Sequence, residues 1–197
     1  MSESKVHFFS NEPVVALLGN PNCGKTALFN LLTGSRQKVA NYSGVTVERK
    51  EGRLSLDSGK NIRILDLPGA YSLYPRSLDE KVTCNVLLGR AEGEKRPDLV
   101  ICVLSAMNLR RNLRLVLAAK RLGLPCAVVL NMLDIAQRQG LSIDTVALSD
   151  ELGLPVLTSI GIEASGADGI KSFLSELDWR NLSAMQTGTG DATLENV

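Results

Sequence analysis

Gly19-Asn20-Pro21-Asn22-Cys23-Gly24-Lys25-Thr26 has the spacing G-x-x-x-x-G-K-T. Small residues let such a loop curl until several backbone N–H groups converge on phosphate oxygens, and the positive end of a helix starting near Lys25 adds to the attraction. The residues Asn22, Cys23, Gly24, Lys25, Thr26 and Ala27 would cradle the phosphates. Lys25 would reach the terminal ones, and Thr26 would offer its hydroxyl to Mg2+. Asp66-Leu67-Pro68-Gly69 is a D-x-x-G string closing an apolar run. Asp66 can hold the magnesium shell through water, and the Gly69 amide can sense a γ-phosphate. Thr46, in the polar stretch Asn41-Tyr42-Ser43-Gly44-Val45-Thr46, can complete the Mg2+ coordination while a triphosphate is bound and free its loop after hydrolysis.

A base-reading element follows further on. Asn131-Met132-Leu133-Asp134 is an N-x-x-D string directly after an apolar run. A carboxylate at Asp134 can accept from both the ring N–H and the exocyclic amine of guanine, which adenine does not offer in that arrangement. An unpaired carboxylate in a closed pocket is costly, so such a site discriminates strongly. Met132 stands where this motif usually has Lys, keeping an aliphatic cover for the base without the charge. Thr158-Ser159-Ile160 ends the last apolar run, where a backbone amide can meet the guanine oxygen. Ser159-Ile160 in place of the usual Ser-Ala would reshape that part of the pocket. Cys23 reads first as a small filler at a tolerant loop position; the alternative is a thiol whose pKa falls at a helix N-terminus.

Elements must bring these residues together. Apolar runs at 14–18, 62–65, 99–104, 127–130 and 155–157 are apolar on consecutive positions, as strands covered on both faces are. Between them Leu109, Leu113, Val116 and Leu117 recur at helical spacing, as do Ile170, Phe173, Leu174 and Leu177. Gly123 and Gly153 stand where helices stop, and Pro125 and Pro155 open the next strands. The stretch 47–56, with Glu48, Arg49, Lys50, Glu51 and Arg53, leaves little to bury and reads as an exposed edge strand in a hairpin with the run after Gly59. The expectation is a doubly wound α/β domain: a mostly parallel six-stranded sheet, one antiparallel edge strand, and helices on both faces. Residues 1–11 read as an extension, 12–178 as the domain, and 179–197 as a tail in which the apolar pattern has stopped.

Composition narrows the function. The chain has 197 residues and a formal net charge of +1, with 44% hydrophobic and 4% aromatic residues. That balance argues against nucleic-acid binding through bulk charge or stacking. No uncharged apolar run nears the ~18 residues of a membrane span, and the first residues lack a secretory layout, so a soluble cytoplasmic domain is expected. The four cysteines and one His have no metal-ligand spacing. Glu48 and Asp79-Glu80, without neighbouring His or Cys, make a poor iron site. Arg110, Arg111 and Arg114 read as a solvated helix face.

The motifs in this order resemble the Ras-like translation-factor class of GTPases over about residues 12–178. Gly19-Asn20-Pro21-Asn22, the string NYSGVTVERKEG from Asn41 to Gly52, DLPGAYSL from Asp66 to Leu73 and NMLD from Asn131 to Asp134 look more closely like the cytosolic G domain of the bacterial ferrous-iron transporter B family. The resemblance implies a Ras-like fold, GTP and GDP as ligands with Mg2+, and slow GTP hydrolysis that regulates Fe(II) uptake. It implies a membrane transport region and a helical domain after residue 178, at the cytoplasmic face of the inner membrane. A homo-oligomer is compatible with it. It further implies that Asn22 helps hold K+ in place of an arginine finger, with Lys25, Thr46 and Gly69 completing the catalytic set. Ala70 stands where Ras has its water-orienting Gln. A soluble ribosome-assembly GTPase and a nucleotide sensor with little hydrolysis remain as alternatives.

Overall fold

The computed structural model describes residues 12–34, 37–159, 164–179 and 181–182. Its centre is β1, Val14–Gly19, in which all six residues are buried. β1 pairs in parallel with β4 (Asn61–Asp66) on one side and with β5 (Leu99–Ser105) on the other. β6 (Cys126–Asn131) and β7 (Val156–Ser159) continue the parallel array. β5 and β6 are buried at every position. Their runs of consecutive apolar residues fit strands sandwiched between two layers.

Two apolar clusters fill those layers. On one face Val15, Leu17, Ile62, Ile64, Ile101 and Val103 meet Leu28, Phe29 and Leu32 of α1 (Lys25–Thr33) and Ile170 and Leu174 of α6 (Asp168–Glu176). On the other, Ala16, Leu18, Leu65, Cys102 and Leu104 meet Val86 and Leu87 of α2 (Leu78–Leu87) and Leu115 and Val116 of α3 (Leu109–Arg121). The short α4 (Leu133–Arg138) and α5 (Thr145–Leu152) border the second cluster through Ala136 and Leu152. The doubly wound α/β architecture is as the sequence indicates.

The sheet has seven strands in the order β2-β3-β4-β1-β5-β6-β7, one more than expected. The addition is β2, Gln37–Asn41, with all five residues exposed. It runs antiparallel to β3 (Glu48–Ser55), which is itself antiparallel to β4. β2 therefore forms the edge, and β3 lies inside it. A strand held by backbone pairing alone leaves no burial pattern in its sequence, which is why the QKVAN run carries no strand signal.

The apolar pattern also outlasts its expected end. Trp179 is buried against the α1 and α6 layer, its indole N–H donates to the Leu174 carbonyl at 3.2 Å, and Leu182 packs beside it. Among the described residues no helix is long and apolar enough to cross a membrane.

Candidate nucleotide-binding site

The parallel register sets the carboxyl ends of the strands side by side: Leu17 opposite Asp66, Gly19 opposite Val103, Ser105 opposite Asn131, and Asn131 opposite Ser159. Open α/β sheets place their ligand crevices at this end.

Between β1 and α1 the phosphate loop turns through two left-handed residues, Asn22 at φ +63° and Gly24 at φ +88°. The Cys23 N–H donates to Asn20 O at 3.3 Å inside the turn, and the Leu28 N–H donates to Gly24 O at 3.0 Å to start the helix. A Cβ on Gly24 would lie 2.0 Å from Asn131 Nδ2, so this glycine is required by packing as well as by conformation. Asn131 explains the closeness. Its Nδ2 donates to Cys23 O at 3.2 Å, and its Oδ1 accepts the Met132 N–H at 2.9 Å. The first residue of the base-reading string thus fastens that string to the phosphate loop.

Asp66 ends β4 directly beside the loop. Lys25 Nζ forms an ion pair with its Oδ1, and Thr26 Oγ1 donates to Oδ2 at 3.0 Å. Thr26 and Asp66 are thereby close enough to share a small hard cation, with oxygen donors of the kind Mg2+ takes. Gly69 packs on the loop so tightly that a Cβ would come within 3.1 Å of Pro21 Cγ. The Ala70 N–H donates to Gly19 O at 3.1 Å.

On the base side, half-buried Asp134 sits in the first turn of α4, 3.5 Å from Arg138 Nη2. Ser159 is buried, and its Oγ has no hydrogen-bond partner among the described residues. An enclosed hydroxyl without a partner beside Asn131 is what a pocket for a polar ring leaves to be satisfied. Met132 adopts a left-handed φ of +63° and its sulfur accepts from Ser105 Oγ at 3.4 Å. Ile160 lies outside the described residues.

Cys23 and Thr46 differ in their surroundings. Burial pushes the Cys23 thiol up, outweighing the lowering from the Lys25 backbone N–H and the Lys25 charge. Cys23 is 1% exposed, and its sulfur would stand 2.6 Å from a Cβ on Gly19, so it is a filler wedged against that glycine. Thr46, by contrast, is exposed in the turn between β2 and β3. The Tyr42 N–H donates to Val47 O at 3.0 Å, closing that turn and burying Tyr42 and Val47 at its base.

Two further residues shape the site. Glu80, considered above only as a poor iron ligand, holds the segment after Gly69. Its carboxylate accepts the Tyr71 N–H at 3.2 Å and the Arg76 N–H at 3.0 Å, while Ser77 Oγ accepts the Glu80 N–H at 3.2 Å. The Ser77-x-x-Glu80 spacing is a capping box visible in the sequence. Asn20, inside the phosphate loop, is buried with both amide atoms unpartnered among the described residues; the sequence marks it only as part of the Gly19-Asn20-Pro21-Asn22 string.

Residues 13–174 match the family model described as ferrous iron transport protein B. The chain is 48% identical over 161 residues to the Fe(2+) transporter FeoB of Escherichia coli strain K12, covering 80% of this chain and 20% of that protein. The FeoB of Salmonella typhimurium matches to the same extent. The chain thus spans about a fifth of the length of these relatives. Among solved structures, the G domain of the T. maritima FeoB iron transporter superposes with a TM-score of 0.75 at 39% identity, covering 84% of this chain and 98% of that one. The cytosolic domain of L. pneumophila FeoB gives 0.75 at 42% identity, covering 82% and 62%. The T. maritima cytosolic domain in a GDP form gives 0.77 at 39% identity, covering 84% and 62%. With a loop, a D-x-x-G segment and an N-x-x-D string meeting at one end of the sheet, the chain belongs to the ferrous iron transport protein B family.

Proposed function

We propose that this domain binds GTP and GDP, hydrolyses GTP, and through that cycle regulates Fe(II) uptake by a membrane transport region of the full-length protein at the cytoplasmic face of the bacterial inner membrane. The observation that carries the reading is the meeting of Lys25, Thr26 and Asp66 at the carboxyl end of the sheet, where Asp134 and the Ser159 hydroxyl, unpartnered among the described residues, also lie.

Lys25 moves from Asp66 to the β- and γ-phosphates, exchanging one anionic partner for another. Thr26 Oγ1 and Asp66, the latter through water, would hold Mg2+, which when bound would supply charge neutralisation for the phosphates. Gly69 would offer its N–H to the γ-phosphate, and Thr46, exposed in its turn, would join Thr26 and Asp66 in holding the metal. Asp134 reads the guanine edge, Met132 covers the ring, and Ser159 with Ile160 meets the guanine oxygen. Hydrolysis rests on positioning and charge rather than on covalent chemistry. With only a methyl at Ala70, the intrinsic rate is slow. That residue also favours a second reading, a sensor with little turnover; phosphate release that disappears in Lys25→Ala would exclude it.

Calorimetry with Mg2+ tests the base readout. The wild-type protein should bind GTP far more tightly than ATP. Asp134→Asn should weaken GTP binding by about 10- to 100-fold while leaving the unfolding midpoint unchanged. Equal affinity for the two nucleotides in the wild type would overturn the assignment.

A further inference from the structure

Asn20 is 4% exposed, and neither Nδ2 nor Oδ1 has a hydrogen-bond partner among the described residues. An enclosed amide with donor and acceptor both unused is costly, and buried polar side chains nearly always find partners. A leucine of similar size would fill the space without that cost. The position calls for a group that takes up partners in another arrangement of its surroundings.

Those surroundings include the part of the site expected to move. On one side of Asn20 the Gly19 carbonyl accepts the Ala70 N–H at 3.1 Å. On the other, Gly69 packs against Pro21, where a Cβ would come within 3.1 Å of Cγ and 3.3 Å of the ring nitrogen. The Leu67 N–H donates to Leu17 O at 3.2 Å, holding the start of the same segment to β1. Asn20 therefore lies on the seam between the phosphate loop and residues 67–70. Drawing the Gly69 N–H toward a γ-phosphate re-aims the peptide groups on that seam. An amide can donate to a carbonyl or accept from an N–H there, and no side chain at Ala70 can do either.

We propose that Asn20 is a positioning residue for the triphosphate form: its amide pairs with backbone groups of residues 68–70 once Gly69 turns to the γ-phosphate, and it steadies the segment that faces the attacked phosphorus. The proposal rests on the GTP reading above. A purely architectural amide, or one satisfied by a permanent water, would contribute equally with either nucleotide. A positioning amide contributes only when the γ-phosphate is there.

The test compares wild type with Asn20→Leu by calorimetry against GDP and against a non-hydrolysable GTP analogue in Mg2+, with single-turnover GTP hydrolysis alongside. The expected result is GDP affinity within about twofold of wild type, analogue affinity and single-turnover rate each lower by about tenfold, and partial recovery of both in Asn20→Ser. If Asn20→Leu does not fold, Asn20→Ala against Asn20→Ser makes the same comparison. Equal losses for GDP and analogue, or no loss for either, would overturn the positioning role. Failure of the wild type itself to prefer guanine nucleotides would instead sink the GTP reading, so the two failures are told apart.

Discussion

At the scale of single residues, Gly24 shows how one position serves both chemistry and architecture. Its φ of +88° is accessible to glycine, and Asn131 Nδ2 occupies the space a Cβ would need, at 2.0 Å. Gly44 is a matched control, with φ +71° and nothing within 4 Å of a built Cβ. Gly44→Ala should cost only the backbone strain, about 1–2 kcal/mol. Gly24→Ala should cost that and more in urea unfolding, because Asn131 must also give up its bond to Cys23 O, and nucleotide affinity should fall with it. Similar costs at the two glycines would show that the Asn131 contact contributes nothing. That Lys25, Thr26 and Asp66 meet was legible in the sequence because each motif follows a strand whose end the parallel sheet sets beside the others. The filler role of Cys23 could be weighed from its place in the loop, but the burial that raises its pKa arises only in the fold, with Gly19 against its sulfur. The unpartnered amide of Asn20 was invisible for the same reason.

At the scale of elements, the segment after Gly69 is tied down from α2. Ser77 and Glu80 cap the helix, Thr83 Oγ1 donates to Pro68 O at 3.1 Å, and Cys84 Sγ donates to Leu73 O at 3.0 Å. Backbone N–H groups, that of Arg76 foremost, hold the Glu80 carboxyl below its ordinary value of 4.5. A depressed carboxyl pKa stabilises the folded state above the ordinary value and loses that contribution as pH falls through the depressed one. Glu80→Gln should therefore cost about 1 kcal/mol at pH 7, with the gap from wild type narrowing as pH falls below the ordinary carboxylate value when both are unfolded by urea. A gap independent of pH would mean that the charge does not matter. The turn before β3 is fastened differently: buried Glu94, in the connection from α2 to β5, accepts from Arg49 Nε at 2.6 Å and pairs with Arg63, while Ser43 Oγ donates to Glu92 at 3.3 Å. The capping box could be read from sequence. The Glu94 pairs could not, because they join charges far apart in the chain that look like a solvated face, and β2 could not, because its pairing leaves no side-chain pattern.

At the scale of the whole molecule, two apolar layers fix the sheet and leave its carboxyl end to carry every candidate ligand group. The consecutive apolar strands made that much legible, whereas Trp179 closes the α1 and α6 layer from beyond the point where periodicity ends. A sheet end of this kind gathers few cations: Lys25 pairs with Asp66, and Arg111 of α3 stacks on the Tyr71 ring, 4.3 Å from its centroid. Asn22 is exposed, left-handed at φ +63°, and its side chain makes no hydrogen bond among the described residues. We propose, as membership of this family implies, that this amide offers its oxygen to a monovalent cation beside the phosphates. Such an ion would offset the negative charge that grows in the transition state, where a single added positive group is worth orders of magnitude in rate. K+ dehydrates more readily than Na+ and suits a site built of few neutral oxygens. GTP turnover should accordingly be at least about tenfold faster in KCl than in NaCl at equal ionic strength. Asn22→Ala should erase the difference while GDP binding persists. Equal rates of the wild type in the two salts would remove the cation and require that the missing charge come from a partner instead.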